Sequence, residues 1–419
     1  MASGQGIDRG TALFLQLFDP AHRADPYPVC RRILEECPVF EGPFDAVVLS
    51  RYADCAAVFR DPRASSDQRH STTYQNAAAS GELDPMAQAS LERPSFLFLD
   101  PPDHTRLRRL VSKAFTPRVV EALRPTVQRW VDELIDRVAE NHRIELIADL
   151  AYPLPVRVIC RMLGVPTEDL PKFRAWAREL ERGLDPVETL SADEQDRMVR
   201  ALEALTGYFN ELIARRRAEP AADDLLSALI AVEEQGDQLT TAELNATCRL
   251  LLLAGHVTTV NLIANGMLAL LRHPDQLERL RLDRSLTGTA VEEVLRYDPP
   301  VQFAGRVARE PLEIGGTTIS PGQRIVLLLA AAERDPARFV DPDRFDIARA
   351  NNAHLTFGAG IHFCLGAPLA RLEGQVALST LATRLVDPML EADPPPYKNH
   401  IVLRGPESLP ITFSDVKPV

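Results

Sequence analysis

The chain has 419 residues, 45% of them hydrophobic, so it can bury a large core, and its length alone allows two or three domains. With 47 Lys and Arg against 59 Asp and Glu the net charge is −12, which offers no polybasic surface for nucleic acid. No apolar run approaches the roughly 18 residues of a membrane span, and the polar stretch from Met1 to Gly10 lacks the apolar centre of a secretory signal, so neither membrane nor export is expected.

Taken in order, the chain first shows an amphipathic segment, Pro28 to Cys37, closed by Pro38. Ala46 to Leu49 reads as a strand and Tyr52 to Arg60 as a short helix. Residues 61–95 are polar and irregular, and a loop of that length is usually functional or mobile. After Asp100-Pro101-Pro102, Asp103 is placed to cap a helix from His104 to Phe115. The pattern predicts one long helix from Pro117 to Asn141 and another from Ala151 to Leu163, ended by Gly164 and Pro166. Residues 167–235 are charged and helical, interrupted at Gly183 to Pro186 and at Glu219-Pro220.

Thr240-Thr241-Ala242-Glu243 is a capping box. It opens a helical pattern that runs to His273-Pro274, about 50 Å at roughly 1.5 Å per residue. Its middle, Leu250 to Asn265, is apolar on nearly all sides and should cross the interior. A further helix, Gly288 to Tyr297, stops at Pro299-Pro300. The period then changes: Arg306 to Ala308, Leu312 to Ile314, Thr317 to Ile319 and Arg324 to Leu329 read as strands, with turns at Gly315-Gly316 and Pro321-Gly322. A loop from Asp335 to Phe345 leads to a glycine-rich cysteine loop and a helix to about Leu385, and the tail from Pro394 to Phe413 reads as strand pairs. The fold class is mainly α with a small β part drawn from about 39–49, 306–329 and 394–413, in a single domain over 1–419.

Six cysteines, Cys30, Cys37, Cys55, Cys160, Cys248 and Cys364, form no C-x-x-C pair, so a disulfide framework is not expected and a reducing cytoplasm fits. Five read as small buried hydrophobes. Cys364 differs, because it stands in Phe357-Gly358-Ala359-Gly360-Ile361-His362-Phe363-Cys364-Leu365-Gly366, just before a helix that Pro368 can begin. A helix N-terminus favours a thiolate, which suits either an iron ligand or a nucleophile.

Three other features bear on chemistry. Gly255 and Thr258-Thr259 interrupt the apolar centre of the long helix, where small residues admit a close neighbour; equally, a threonine there can satisfy itself on the carbonyl four residues back. Glu293 and Arg296 lie three apart on one helix face, as a surface ion pair or a buried one. His104 and Arg108, four apart, can grip an anion together or lie on a solvated face with Arg106 and Arg109.

In order and spacing these four features resemble the cytochrome P450 family of haem-thiolate monooxygenases. Phe357 to Gly366 matches its F-G-x-G-x-H-x-C-x-G signature at every fixed position, Glu293 and Arg296 match its E-x-x-R pair, and Ala254 to Thr259 lies where its oxygen-binding groove is expected. Asp341-Pro342-Asp343-Arg344-Phe345 resembles the segment whose arginine completes a triad with that pair. The resemblance runs from about Pro20 to Phe413 and points to the soluble bacterial class.

The resemblance implies a long central helix over a haem b cofactor, iron protoporphyrin IX. Cys364 would be the axial iron ligand, its sulfur bonded by N–H groups at Leu365 and Gly366, with Phe357 beside the ring. His104, Arg108, Arg306 and His362 would hold the haem propionates. Thr258 would hydrogen-bond dioxygen and help deliver protons. The family usually has Asp or Glu before this threonine and this chain has Val257, so Thr259, His256, water or a substrate group would have to substitute. Phe96, Leu97, Leu251, Ala254, Val301, Phe303 and Ile401 would face a hydrophobic substrate, and 63–95 and 167–195 would form a mobile lid. The expected partners are that substrate, O2, and a separate ferredoxin with its ferredoxin reductase. The expected reaction inserts one oxygen atom into a C–H or C=C bond, in the tailoring of a secondary metabolite. The missing acid keeps open a peroxide-using or oxidative-coupling enzyme and a haem-binding protein without turnover, and a Cys364–His362 hydrolase is the remaining rival.

Overall fold

The structure, a computed structural model, describes residues 8–43, 45–83, 95–186, 189–219, 222–234 and 237–419. Its axis is the helix Thr241–Arg272. The capping box forms as the sequence requires: Thr240 Oγ1 accepts from Glu243 N at 3.3 Å, and Glu243 Oε2 accepts from Thr240 N at 2.8 Å. Among the described residues this is the one helix long and apolar enough to cross a membrane, and 72% of its most apolar window is buried inside the fold. Its hydrophobicity therefore serves the core.

Helices Pro153–Met162, Ala192–Ala218 and Ala367–Arg384 pack around it. The last approaches closely because each of the two helices places a glycine at the contact. A Cβ on Gly266 would meet Leu378 Cδ1 at 2.7 Å, and one on Gly374 would meet Leu262 Cδ2 at 3.0 Å.

The main sheet has the order Val39–Gly42, Ala46–Leu49, Arg324–Leu328, Phe303–Ala308, Ala64–Ser65. Ala46–Leu49 and Arg324–Leu328 run parallel, with Val48 opposite Val326, and the other pairs are antiparallel. The two faces of this sheet bury different cores. One packs Val47, Leu49, Ile325 and Leu327 with Phe59; the other packs Val48 and Leu328 with Phe14 of the helix Arg9–Gln16. Leu312–Ile314 and Thr317–Ile319 form the expected hairpin, with φ of 59° and 82° at Gly315 and Gly316.

Several sequence expectations change. Residues 117–141 are not one helix but Pro117–Glu121, Arg124–Asp136 and a short 3-10 turn at Ala139–Asn141, since Pro125 restarts the helix without an N–H to donate. Asp103 is not a cap: it lies in the first turn of Asp103–Ala114 behind Pro102, where its charge meets the helix dipole. In the tail only Pro410–Thr412 is an extended strand within 394–413, and it pairs with Met389–Leu390 and with Arg143–Glu145 from mid-chain. Of the expected lid, residues 84–94 and 187–188 lie outside the described residues, as does Pro220 of the predicted break.

Candidate active site

The cysteine loop is held by its backbone. Cys364 N donates to Phe357 O at 2.9 Å, Gly358 and Gly360 both take φ of 69°, and a Cβ on Gly360 would collide with the Phe59 carbonyl oxygen. Only glycine fits there. The helix Ala367–Arg384 starts behind Gly366. Burial raises the Cys364 thiol, against the N–H of Gly366, the charge of Arg108, the N–H of Ala367 and Arg371. The donors near the sulfur are thus Gly366 and Ala367 rather than Leu365 and Gly366. Burial thus opposes the helix terminus at this sulfur.

Four basic side chains converge beside this loop. His104 is 2% exposed and its ring lies 4.1 Å from that of His362. Among the described residues neither ring nitrogen of His104, nor Nε2 of His362, has a hydrogen-bond partner. Arg108 donates to Phe363 O at 2.5 Å, and Arg306 donates to Gly305 O at 2.7 Å with its guanidinium over the Phe59 ring. Burial pushes Arg306 down to about 10, and burial with the charges of His104, Arg306 and Arg108 pushes His362 down to about 3. Asp100, whose charge acts on His104 and Arg306, accepts from Ser65 Oγ at 2.5 Å and Ser66 N at 3.1 Å. Basic groups gathered from a helix, a strand and a loop, with ring nitrogens that find no partner among the described residues, fit a buried dianion. His362 faces His104, so a Cys364–His362 nucleophilic pair is not assembled.

The central helix presents a bare stripe. Leu250, Ala254 and Thr258 recur every fourth residue on one side and are incompletely covered, and a Cβ on Gly255 would meet nothing within 4 Å. Thr258 Oγ1 donates to Ala254 O at 2.7 Å, and the buried Thr259 Oγ1 donates to Gly255 O at 3.1 Å. His256 does not join them. Two residues round the helix from Thr258, it projects from the far side, fully buried, with its ring edge-on to Tyr152 at 4.2 Å, and burial pushes it down to about 3.

Phe96 is buried 6.4 Å from the His104 ring, with Leu97 half-buried beside it. Leu251 is buried on the Thr258 side of its helix, and Val301 bridges to Leu403 next to Ile401. Phe303 is elsewhere: its ring packs on Phe14 at 5.6 Å and Phe18 at 6.3 Å, in the core on the other face of the sheet. Strand alternation puts Ala304 on the face of Arg306 instead, a register that counting back two from Arg306 would have given.

Beneath the loop, Glu293 and Arg296 are fully buried and joined at 2.8 and 2.9 Å. The third member is Arg349, with Nε 3.0 Å from Glu293 Oε2. Arg344 is exposed and contributes only its carbonyl oxygen, to Arg296 at 3.2 Å and to Arg349 at 2.8 Å. Arg296 also donates to Glu333 O and Pro342 O, and Thr356 Oγ1 donates to Leu295 O at 2.7 Å, which ties the network to the cysteine loop.

A family model described as Cytochrome P450 matches residues 39–413. The cytochrome P450 monooxygenase PikC of Streptomyces venezuelae is 44% identical over 402 residues, 93% of this chain and 91% of the relative. The polyketide biosynthesis cytochrome P450 PksS of Bacillus subtilis is 37% identical, over 93% of this chain and 96% of the relative. The crystal structure of ligand-free CYP164A2 from Mycobacterium smegmatis superposes with a TM-score of 0.87 at 50% identity, covering 96% of this chain and all of that one.

Proposed function

The chain belongs to the cytochrome P450 family, and on that premise we propose that it inserts one oxygen atom from O2 into a hydrophobic organic substrate, by hydroxylation or epoxidation, in the tailoring of a secondary metabolite. It is a cytochrome P450 monooxygenase whose cofactor is haem b. The observation that carries the site is the cluster of His104, Arg108, Arg306 and His362, four basic groups gathered beside Cys364. A relative named for polyketide biosynthesis supports the tailoring role.

When bound, the haem supplies dioxygen activation with two electrons delivered from outside. Cys364 would ligate its iron, with the N–H groups of Gly366 and Ala367 restraining the sulfur. His104, Arg108, Arg306 and His362 would neutralise its two carboxylates, which accounts for the orphaned ring nitrogens of His104 and His362. Phe357 and Gly366 would border the ring. Thr258 would help deliver protons: its hydroxyl donates to Ala254 O, and its free lone pairs can accept a hydrogen bond from water on the bare side of the helix, orienting that water as the proton source. Phe96, Leu97, Leu251, Ala254, Val301, Ala304 and Ile401 would wall the substrate, an apolar lining suited to an apolar ligand.

Electrons would come from a cytoplasmic ferredoxin and its reductase. Ile361 and Phe363 are exposed large hydrophobics on the cysteine loop, with Arg108 bonded to Phe363 O, an apolar and cationic surface that suits a small acidic carrier.

An absorption spectrum of the reduced, CO-bound protein tests the ligation: the thiolate-type Soret band is expected, and its absence removes the reading. Turnover under 18O2 with ferredoxin and reductase tests the reaction, and label in the product is expected. Val257 in place of an acid favours a second reading, a peroxide-using enzyme, for which product would form with hydrogen peroxide and not with the reductase system.

A further inference from the structure

Where the helix Leu170–Leu180 and its closing turn Glu181–Leu184 end, the chain reaches across to the C-terminal segment. Asp185 Oδ1 accepts two backbone N–H bonds, from Ile401 and Val402, each 2.9 Å. Its Oδ2 accepts from Arg182 Nε at 3.1 Å, and Arg182 also holds Glu194 in the first turn of Ala192–Ala218 at 2.6 Å. The Asp185 side chain is 2% exposed. One turn back, Glu181 Oε2 pairs with Lys398 Nζ at 3.3 Å and faces His400 Nε2 at 3.9 Å, again out of solvent. The same helix touches the central one: Tyr152 donates to Arg174 O at 3.1 Å while its ring meets His256.

We propose that Asp185 is a positioning residue that couples the placement of the 170–185 segment to the placement of Ile401 in the substrate wall; this rests on the reading of Ile401 as part of that wall. A carboxylate shared by two consecutive amides fixes both the height and the tilt of the segment bearing Ile401. The segment cannot lift away without stripping those amides of their acceptor, so the wall loosens whenever the lid opens. Lys398–Glu181 adds a charged tether three and four residues before the same amides. The brace thus makes closure of the 170–185 segment and assembly of the wall a single event.

The test uses the holoenzyme and two haem-ligating probes, imidazole, a single small ring, and the much bulkier econazole, which is expected to touch the wall. Asp185→Ala is expected to speed amide hydrogen exchange in 397–402 and 170–185 together, and to weaken econazole by about ten-fold while imidazole binding stays the same. Asp185→Asn keeps an acceptor oxygen and is expected to restore both readouts to within about two-fold of the native enzyme. Unchanged exchange at 397–402 in Asp185→Ala overturns the brace. Equal weakening of both probes makes the residue a general structural one and overturns the coupling. Ile401→Ala separates the underlying reading: if it leaves econazole untouched, Ile401 is not wall and the coupling falls with it, whereas weakening in Ile401→Ala without weakening in Asp185→Ala refutes the positioning role alone.

Discussion

The guanidinium of Arg349 lies against the carboxylate of Glu293, its Nε 3.0 Å from Oε2 and 3.2 Å from Oε1, and thereby closes a network whose inner pair, Glu293 and Arg296, is wholly buried. Removing one partner of a buried pair costs about 3–5 kcal/mol; Glu293 keeps Arg296, so the lower end applies. Arg349→Ala should lower stability by about 3 kcal/mol, while Arg344→Ala, an exposed side chain, should stay within about 0.5 kcal/mol. Urea unfolding of the two variants decides the matter, and equal losses would return the third position to Arg344.

Glu333 is fully buried and, among the described residues, accepts only from Leu355 N at 2.5 Å through Oε1, which leaves Oε2 unpartnered. Burial raises it from 4.5 to about 8. The folded chain therefore keeps a proton that the unfolded chain releases above about 4.5, so unfolding sheds a proton between about pH 4.5 and 8 and stability falls as pH rises through that window. The loss should be on the order of a few kcal/mol, and Glu333→Gln should flatten it. Thermal unfolding from pH 5 to 9 is the measurement; a native curve that does not steepen relative to the Gln variant contradicts the protonated acid.

The four basic groups should act on haem retention before they act on rate. Each charge-assisted hydrogen bond contributes about 1.5–3 kcal/mol, so Arg306→Gln or His104→Phe should speed haem loss to apomyoglobin by roughly 10-fold or more. The change in Soret absorbance with time reports it. Loss at the native rate in both variants would mean that the cluster holds something else.

Thr258 and Thr259 differ in what they face, although both hydroxyls donate to the carbonyl four residues back. Thr258→Ala should raise the share of electrons lost as hydrogen peroxide several-fold, with Thr258→Ser near native, whereas Thr259→Ala should cost about 1 kcal/mol of stability and leave that share alone. Val257 is 3% exposed, so Val257→Glu buries a carboxylate; it should destabilise by about 2 kcal/mol or more without improving product formed per reduced cofactor. A sharp rise in that ratio would show that valine is a handicap.

Local chemistry made much of this chain legible from its sequence. The capping box at Thr240, the apolar run behind it, the glycine pair at 315–316 and the cysteine loop each depend on near neighbours, so helix, hairpin and loop followed from residue type and spacing, and so did the family. What the sequence could not settle was which non-neighbour each side chain meets. Arg344 and Arg349 are equally plausible partners for Glu293 until the 341–352 loop folds and turns one outward. His256 stands beside Thr258 in sequence, yet a helix turns by about 100° per residue, and packing against Tyr152 decides that it faces away. Phe303 and Ala304 trade faces by one step of strand register. Asp185, unremarkable in a charged stretch, gains its two amide partners from residues 216 and 217 positions further on. Propensity and periodicity are properties of short segments, and they name the elements; long-range packing alone chooses the faces and partners, because those contacts come into being only when distant segments are buried together.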